Sequence, residues 1–157
     1  MSGEHRLVDI ILDEASLSVA SADVEHERRV AIFDLLEANQ FEVIDLDAGP
    51  YALRLAIADS RLVLAITTAD GAEARTIVLS LTSLRKVIKD YFLICESYHS
   101  AIRSATPTQI EAIDMGRRSL HDEGGELIAQ RLSGKVKMDR ETARRLFTLI
   151  CALRARN

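Results

Sequence analysis

Three observations predict an α+β fold in which an antiparallel meander sheet is covered on one face by helices. From Tyr51 to Leu81 apolar residues alternate with period two in three consecutive runs, the mark of strands with one face in a core. At Thr82 the period changes to 3.6 and stays there. Strands therefore cluster first and helices second, unlike the βαβ alternation of a parallel sheet. The expected architecture is one domain over 1–157, strand-rich to residue 81 and helical from 82. A C-terminal set of three helices and one N-terminal helix cover the sheet.

The elements follow in order. Arg6 to Leu12 is short and β-branched and reads as a strand. Asp13 to Ala22 is small and polar, a loop. Ser21 or Asp23 caps a helix to about Asn39, with Val24, Ala31, Ile32, Leu35 and Leu36 as its apolar stripe. Phe41 to Ile44 is another strand, and Gly49-Pro50 turns the chain into the meander. Tyr51, Leu53, Leu55 and Ile57 share one face, continued by Leu62, Leu64 and Ile66 and by Ile77, Leu79 and Leu81. Asp59-Ser60 and Asp70-Gly71 close the two hairpins. Thr82 or Ser83 caps a helix to about Ser104 whose stripe is Leu84, Val87, Ile88, Tyr91, Ile94, Cys95, Tyr98 and Ile102. Thr106-Pro107-Thr108-Gln109 is a capping box with proline in the first turn. The helix it starts carries Ile110, Ile113 and Leu120, meets Gly124-Gly125, and resumes with Leu127, Ile128 and Leu132. Gly134 stops it. Lys135 to Met138 adds a short strand. Asp139 caps a last helix that buries Ala143, Leu146, Phe147, Ile150 and Cys151.

Composition narrows the function classes. A chain of 157 residues buries roughly 68–70% of its unfolded surface. With 48% hydrophobic and 28% charged residues, a packed core is expected and disorder is not. Aromatics make up 4%, without tryptophan, so Leu, Ile, Val and Ala must build that core. A net charge of −4 gives no attraction to nucleic acid or anionic membrane, and no apolar run is long enough to span a bilayer. Met1 to Val8 is not a secretory signal. Cys95 and Cys151 fall in apolar helical periodicity, where free buried thiols are the plain reading and a disulfide or redox pair the alternative. A cytoplasmic location is expected.

Four groups of residues bear on function. Asp23, Glu25, His26, Glu27 and Arg28 crowd the start of the first helix. Their acids complement its dipole, Glu25 can pair with Arg28 or Arg29, and a metal site at His26 lacks converging ligands. Lys89, Glu96, His99 and Arg103 form a ridge: either a solvated face, or a site where Glu96 orients His99 as a base and the cations hold an anion. Asp114, Arg117, Arg118, His121, Asp122 and Glu123 form the densest polar group. The glycines beside it cost about 1.6–2 kcal/mol relative to alanine, and they admit a crossing helix, break the helix, or let an anionic ligand reach the backbone. Asp114, Arg117, Arg118, His121, Gly124 and Gly125 are therefore the candidate ligand site. Finally, the lighter strand face, with Ala52, Ala56, Val63, Ala65, Thr76 and Val78, is too apolar for an ordinary wet surface and too small for a second core. It is the candidate partner face. Arg144-Arg145 and Arg154 with Arg156 fit the negative end of the last helix. No phosphate loop, H-E-x-x-H, C-x-x-C or G-x-S-x-G occurs, so neither cofactor nor metal is expected.

The runs KDYFLICE (89–96), AIDMGRR (112–118), TARRLFTLIC (142–151) and VEHERRVAIFDLLEAN (24–39) resemble a bacterial UPF-type family seen mainly in alphaproteobacteria. The resemblance spans nearly the whole chain and implies no activity and no catalytic residues. The function expected is a non-enzymatic interaction or regulatory module whose partner is another protein or a second copy of itself, as a homo-oligomer, with no nucleic acid and no membrane. The alternative is a small enzyme or binding protein for an anionic metabolite, using Arg117, Arg118 and His121.

Overall fold

The computed structural model describes residues 4–17 and 19–154, so the first three residues of the Met1 to Val8 segment, residue 18 of the 13–22 loop, and Arg156 lie outside the described residues. The chain forms β1 (Leu7–Leu12), α1 (Ala22–Glu37), β2 (Phe41–Val43), β3 (Tyr51–Ala58), β4 (Arg61–Thr68), β5 (Glu73–Ser80), α2 (Arg85–Ser104), α3 (Pro107–Arg131), β6 (Val136–Met138) and α4 (Arg140–Leu153).

The meander β3-β4-β5 is antiparallel throughout. Its first turn has both central residues at positive φ, Asp59 at 52° and Ser60 at 61°, the backbone a two-residue hairpin loop requires. β1 completes the sheet in the order β1-β3-β4-β5, and here the expectation of a purely antiparallel sheet needs correction: β1 runs parallel to β3. A parallel neighbour needs a long crossover, and α1 with β2 supplies it. The free side of β1 is tied down by Asn39. Its Oδ1 accepts from the Leu7 N–H at 2.7 Å, while its Nδ2 donates to the carbonyls of Leu7 at 3.0 Å and Leu35 at 2.9 Å. β2 and β6 pair with each other as a separate antiparallel ribbon. Arg75 of β5 donates to the Ile44 and Lys135 carbonyls and so ties ribbon to sheet.

The heavy strand face is buried as the alternation demands, with Leu53, Leu55, Leu62, Leu64 and Ile66 inaccessible. They form one cluster with Leu35 of α1, Val87 and Ile88 of α2, Ile128 of α3, and Leu146, Phe147 and Ile150 of α4. All helices therefore cover the same face. α4, the most buried, packs between α1 and α3, and α2 packs along α3.

Caps at three helix starts match the sequence. Ser21 accepts from the Val24 N–H, Asp139 from the Thr142 N–H, and Thr106 with Gln109 forms the reciprocal box. The start of α2 differs. A single 3-10 turn at Thr82–Leu84 feeds directly into it with no side-chain cap, and Ser83 Oγ donates backwards to the Ser80 carbonyl. Ile102, placed on the α2 stripe, is exposed, and Ala101 is buried instead: near the end of a long helix the stripe has drifted off the core. α3 shows no interruption, running through Gly124-Gly125 to Arg131.

Candidate functional site

Asp114, Arg117, Arg118, His121 and Asp122 of α3 are engaged within the molecule. Asp114 accepts from Arg117 Nε at 3.0 Å and pairs with Arg118 Nε at 3.2 Å. The Arg117 guanidinium also lies 4.8 Å from the Tyr98 ring centroid of α2, a cation–π contact that fixes it against the neighbouring helix. These cations hold the Asp114 carboxyl below its usual range, the Arg117 hydrogen bond contributing most. His121 points into the α3–α4 seam. Its Nε2 lies 2.9 Å from the Arg144 carbonyl and 2.6 Å from Thr148 Oγ1, and its Nδ1 is 3.4 Å from an Arg144 guanidinium nitrogen. Because Thr148 donates to the same Arg144 carbonyl, the network assigns the proton to Nε2 and the lone pair to Nδ1. Burial pushes the His121 pKa down, which agrees with a neutral ring.

Gly124 and Gly125 are buried where α3 crosses α4. A Cβ at Gly124 falls 2.5 Å from Phe147 Cε1 and Cε2, and one at Gly125 falls 3.1 Å from the Arg144 backbone. Of the three readings the sequence left open, the geometry matches a crossing helix: the close approach offsets the lost helix propensity. Beside this seam runs an open groove of about 540 Å³. Its arginines are also paired, Arg140 with Asp122 at 3.1 Å, and Arg144 with Asp122 and Glu141 at 2.8 Å each. Only Arg118 of the predicted ligand residues lines it.

The predicted α2 ridge divides. Lys89, Glu96 and His99 line a recess of about 240 Å³ between α1 and α2, whereas Arg103 is exposed and outside it. Among the described residues no hydrogen bond joins Glu96 to His99. The recess shares Glu27, Phe92, Cys95 and His99 with a larger one of about 440 Å³ that has His26 and Asp34 on its α1 wall and Thr148, Cys151 and Ala152 of α4 as floor. Both cysteines, free thiols, meet this cavity, and burial pushes both pKa values up, which makes them poor nucleophiles. His99 and His121 do not converge: His99 opens onto the cleft, and His121 sits behind its Thr148 wall.

On the sheet, Ala52, Ala56, Val63 and Ala65 are half-buried and Thr76 and Val78 exposed, on the face away from the helices. Their cross-strand rows are Ala56–Val63–Val78 and Arg54–Ala65–Thr76, and Ile11 extends the second row onto β1.

Two features escaped the sequence reading. Arg28 is 4% exposed and does not pair with Glu25 at the surface; its Nε donates to the Ala152 carbonyl at 3.1 Å. The signal was available, since Val24, Arg28, Ala31 and Leu35 recur at helical spacing. Arg144 and Arg145 likewise sit in the first half of α4, Arg145 donating to the Ala38 carbonyl, so among the described residues of that expectation Arg154 alone stands at the negative end. The second feature is the cleft between α1 and α2, which exists only once α4 is placed beneath both.

Among the described residues, no group of three or more His, Cys, Asp or Glu gathers as a metal site, and no helix is long and apolar enough to cross a membrane. No solved structure matches the chain. It is 58% identical over 152 residues to a UPF0262 protein of Agrobacterium fabrum, covering 97% of this chain and 96% of that one. With a UPF0262 protein of Hyphomonas neptunium it shares 58% identity over 153 residues, 98% of this chain and 94% of the relative. The model of an uncharacterised protein family, UPF0262, matches residues 4–156, and with relatives this similar along nearly their whole length, the chain belongs to that alphaproteobacterial family.

Proposed function

We propose that the protein is a non-enzymatic interaction module that pairs with a second copy of itself through the outer face of the four-stranded sheet. The observation that carries this reading is the uncovered apolar row Ala56–Val63–Val78 on that face, where Val78 is 51% exposed, with Ala65 beside it and Ile11, 43% exposed, across Arg54. A two-fold interface must hold both halves of every complementary pair. This face carries Arg54 beside Ile11 and the acid Asp9 beside Ala52. Four strands about 4.8 Å apart and about 26 Å long present on the order of 500 Å². Two copies then bury about 1,000 Å², the low end for a specific interface, so the dimer is weak and concentration-dependent. The enzyme alternative has less support, because Arg117, Arg118 and His121 are bonded to their own chain.

Sedimentation velocity across a concentration series reads the outcome. The expected result is a monomer–dimer shift in the micromolar range, abolished by Ala65→Arg, which sets a second cation beside Arg54. A species that stays monomeric at high concentration, or a dimer indifferent to Ala65→Arg, refutes it.

A further inference from the structure

We propose that the groove along α2, which runs from the end of α4 to the α1 wall, binds an elongated amphipathic anion, with a carboxylate or phosphate head among Arg85, Lys89 and Arg154 and an apolar body along Phe92 towards Cys95. Arg85, Lys89 and Arg154 line a concave site of about 350 Å³ whose other walls are Leu81, Ile88 and Phe92, with no acid among them. Among the described residues none of the three cations has a carboxylate partner, although Lys86 beside them pairs with Asp90 at 2.9 Å. Like charges held together without counter-charge repel one another. Two of them also stand in the first two turns of α2, where the helix dipole is positive, and no acid occupies that first turn. An anion relieves both penalties.

The site does not end at the cations. It shares Lys89 and Phe92 with the next recess, which shares Cys95 and His99 with the one floored by α4. From Arg85 to Cys95 the run along α2 is on the order of 15 Å. Glu27, Asp34 and Glu96 line the far recesses and repel an anionic head there. The ligand therefore has one orientation, head at Arg154 and body towards Cys151. Mixed apolar walls with a few convergent charges are the usual make-up of a small-molecule site.

Backbone amide NMR titration of the full chain with decanoate, decyl phosphate, decyltrimethylammonium and inorganic phosphate tests this. Either decyl anion should shift α2 and α4 resonances and slow alkylation of Cys95, and the tighter of the two identifies the head group. Arg85→Ala with Lys89→Ala should weaken that binding about tenfold or more while leaving the free spectrum folded. The proposal is overturned if neither decyl anion binds at ~1 mM, if the cationic analogue binds as well, or if the double variant keeps its affinity. It is equally overturned if inorganic phosphate alone matches the decyl compounds, because the apolar groove then contributes nothing.

Discussion

Replacing Gly124 with alanine tests the α3–α4 crossing directly, because two opposing effects can be sized. In a helix interior alanine is favoured over glycine by about 0.8–1.0 kcal/mol. Against that, the new methyl carbon falls 2.5 Å from two carbons of the Phe147 ring and closer still to Cζ. Phe147 is fully buried and has no free direction. Tyr91 meets it edge-on at 5.5 Å between centroids, and His121 lies at 6.2 Å on another side. Overpacking a core site typically costs about 1–3 kcal/mol, and this confinement selects the upper part of that range. The net expectation for Gly124→Ala is a loss of about 2 kcal/mol, or roughly 4–8 °C in Tm for a chain of this size. Urea unfolding at constant m-value measures it. A variant as stable as the parent, or more so, would refute the close crossing and return Gly124 to the list of candidate ligand contacts.

Gly116→Ala is the companion experiment in the same helix. Its methyl meets only Ile94 Cδ1, at 2.7 Å, the end of a flexible half-buried side chain, so the propensity gain should survive and stability should stay level or rise by a few tenths of a kcal/mol; a loss comparable to Gly124→Ala contradicts this. Burial lowers the His121 pKa in the folded protein below its ordinary 6.5. Its stabilisation is therefore complete above that pH and declines as the unfolded chain protonates below it. The stability gap between the parent and His121→Gln should narrow on going from pH ~8 to ~5, and a constant gap would show that His121 is not held neutral. Arg28→Ala removes a charge-assisted bond to the Ala152 carbonyl and the packing of a buried stem, for an expected loss of about 2 kcal/mol. An unchanged urea midpoint would place that guanidinium in solvent.

Local patterns carried the fold because their physics is local. The alternation of Tyr51 to Leu81 and the capping box at Thr106 each act within a few residues, and both appear as read. What the sequence concealed was pairing between distant segments. Nothing near Leu7 announces that it lies beside Tyr51 in parallel, or that Phe41 pairs with Met138. Gly124-Gly125 is the instructive case. Propensity alone argues for an interruption, and only the arrival of Phe147 and Arg144 from α4 explains why the helix continues.

The same distinction governs the candidate sites. Density of charge along the chain marked the 114–123 segment as the leading ligand site, yet density measures how many charges are present and not how many are satisfied. Asp114 pairs with two arginines of its own helix, and Asp122 with two from α4, so the charges of the busiest segment are already engaged. Arg85, Lys89 and Arg154 are sparser and come from two ends of the helical half. They meet only because the start of α2 lies against the end of α4. In the sequence Lys89 reads as part of the α2 ridge and Arg154 as a cation at the end of the last helix, and nothing joins either to Arg85. Among the described residues their shared lack of a carboxylate partner is a property of the assembled helices, and it makes the basic end of the groove along α2, rather than the crowded α3 ridge, the place where an anion has most to gain.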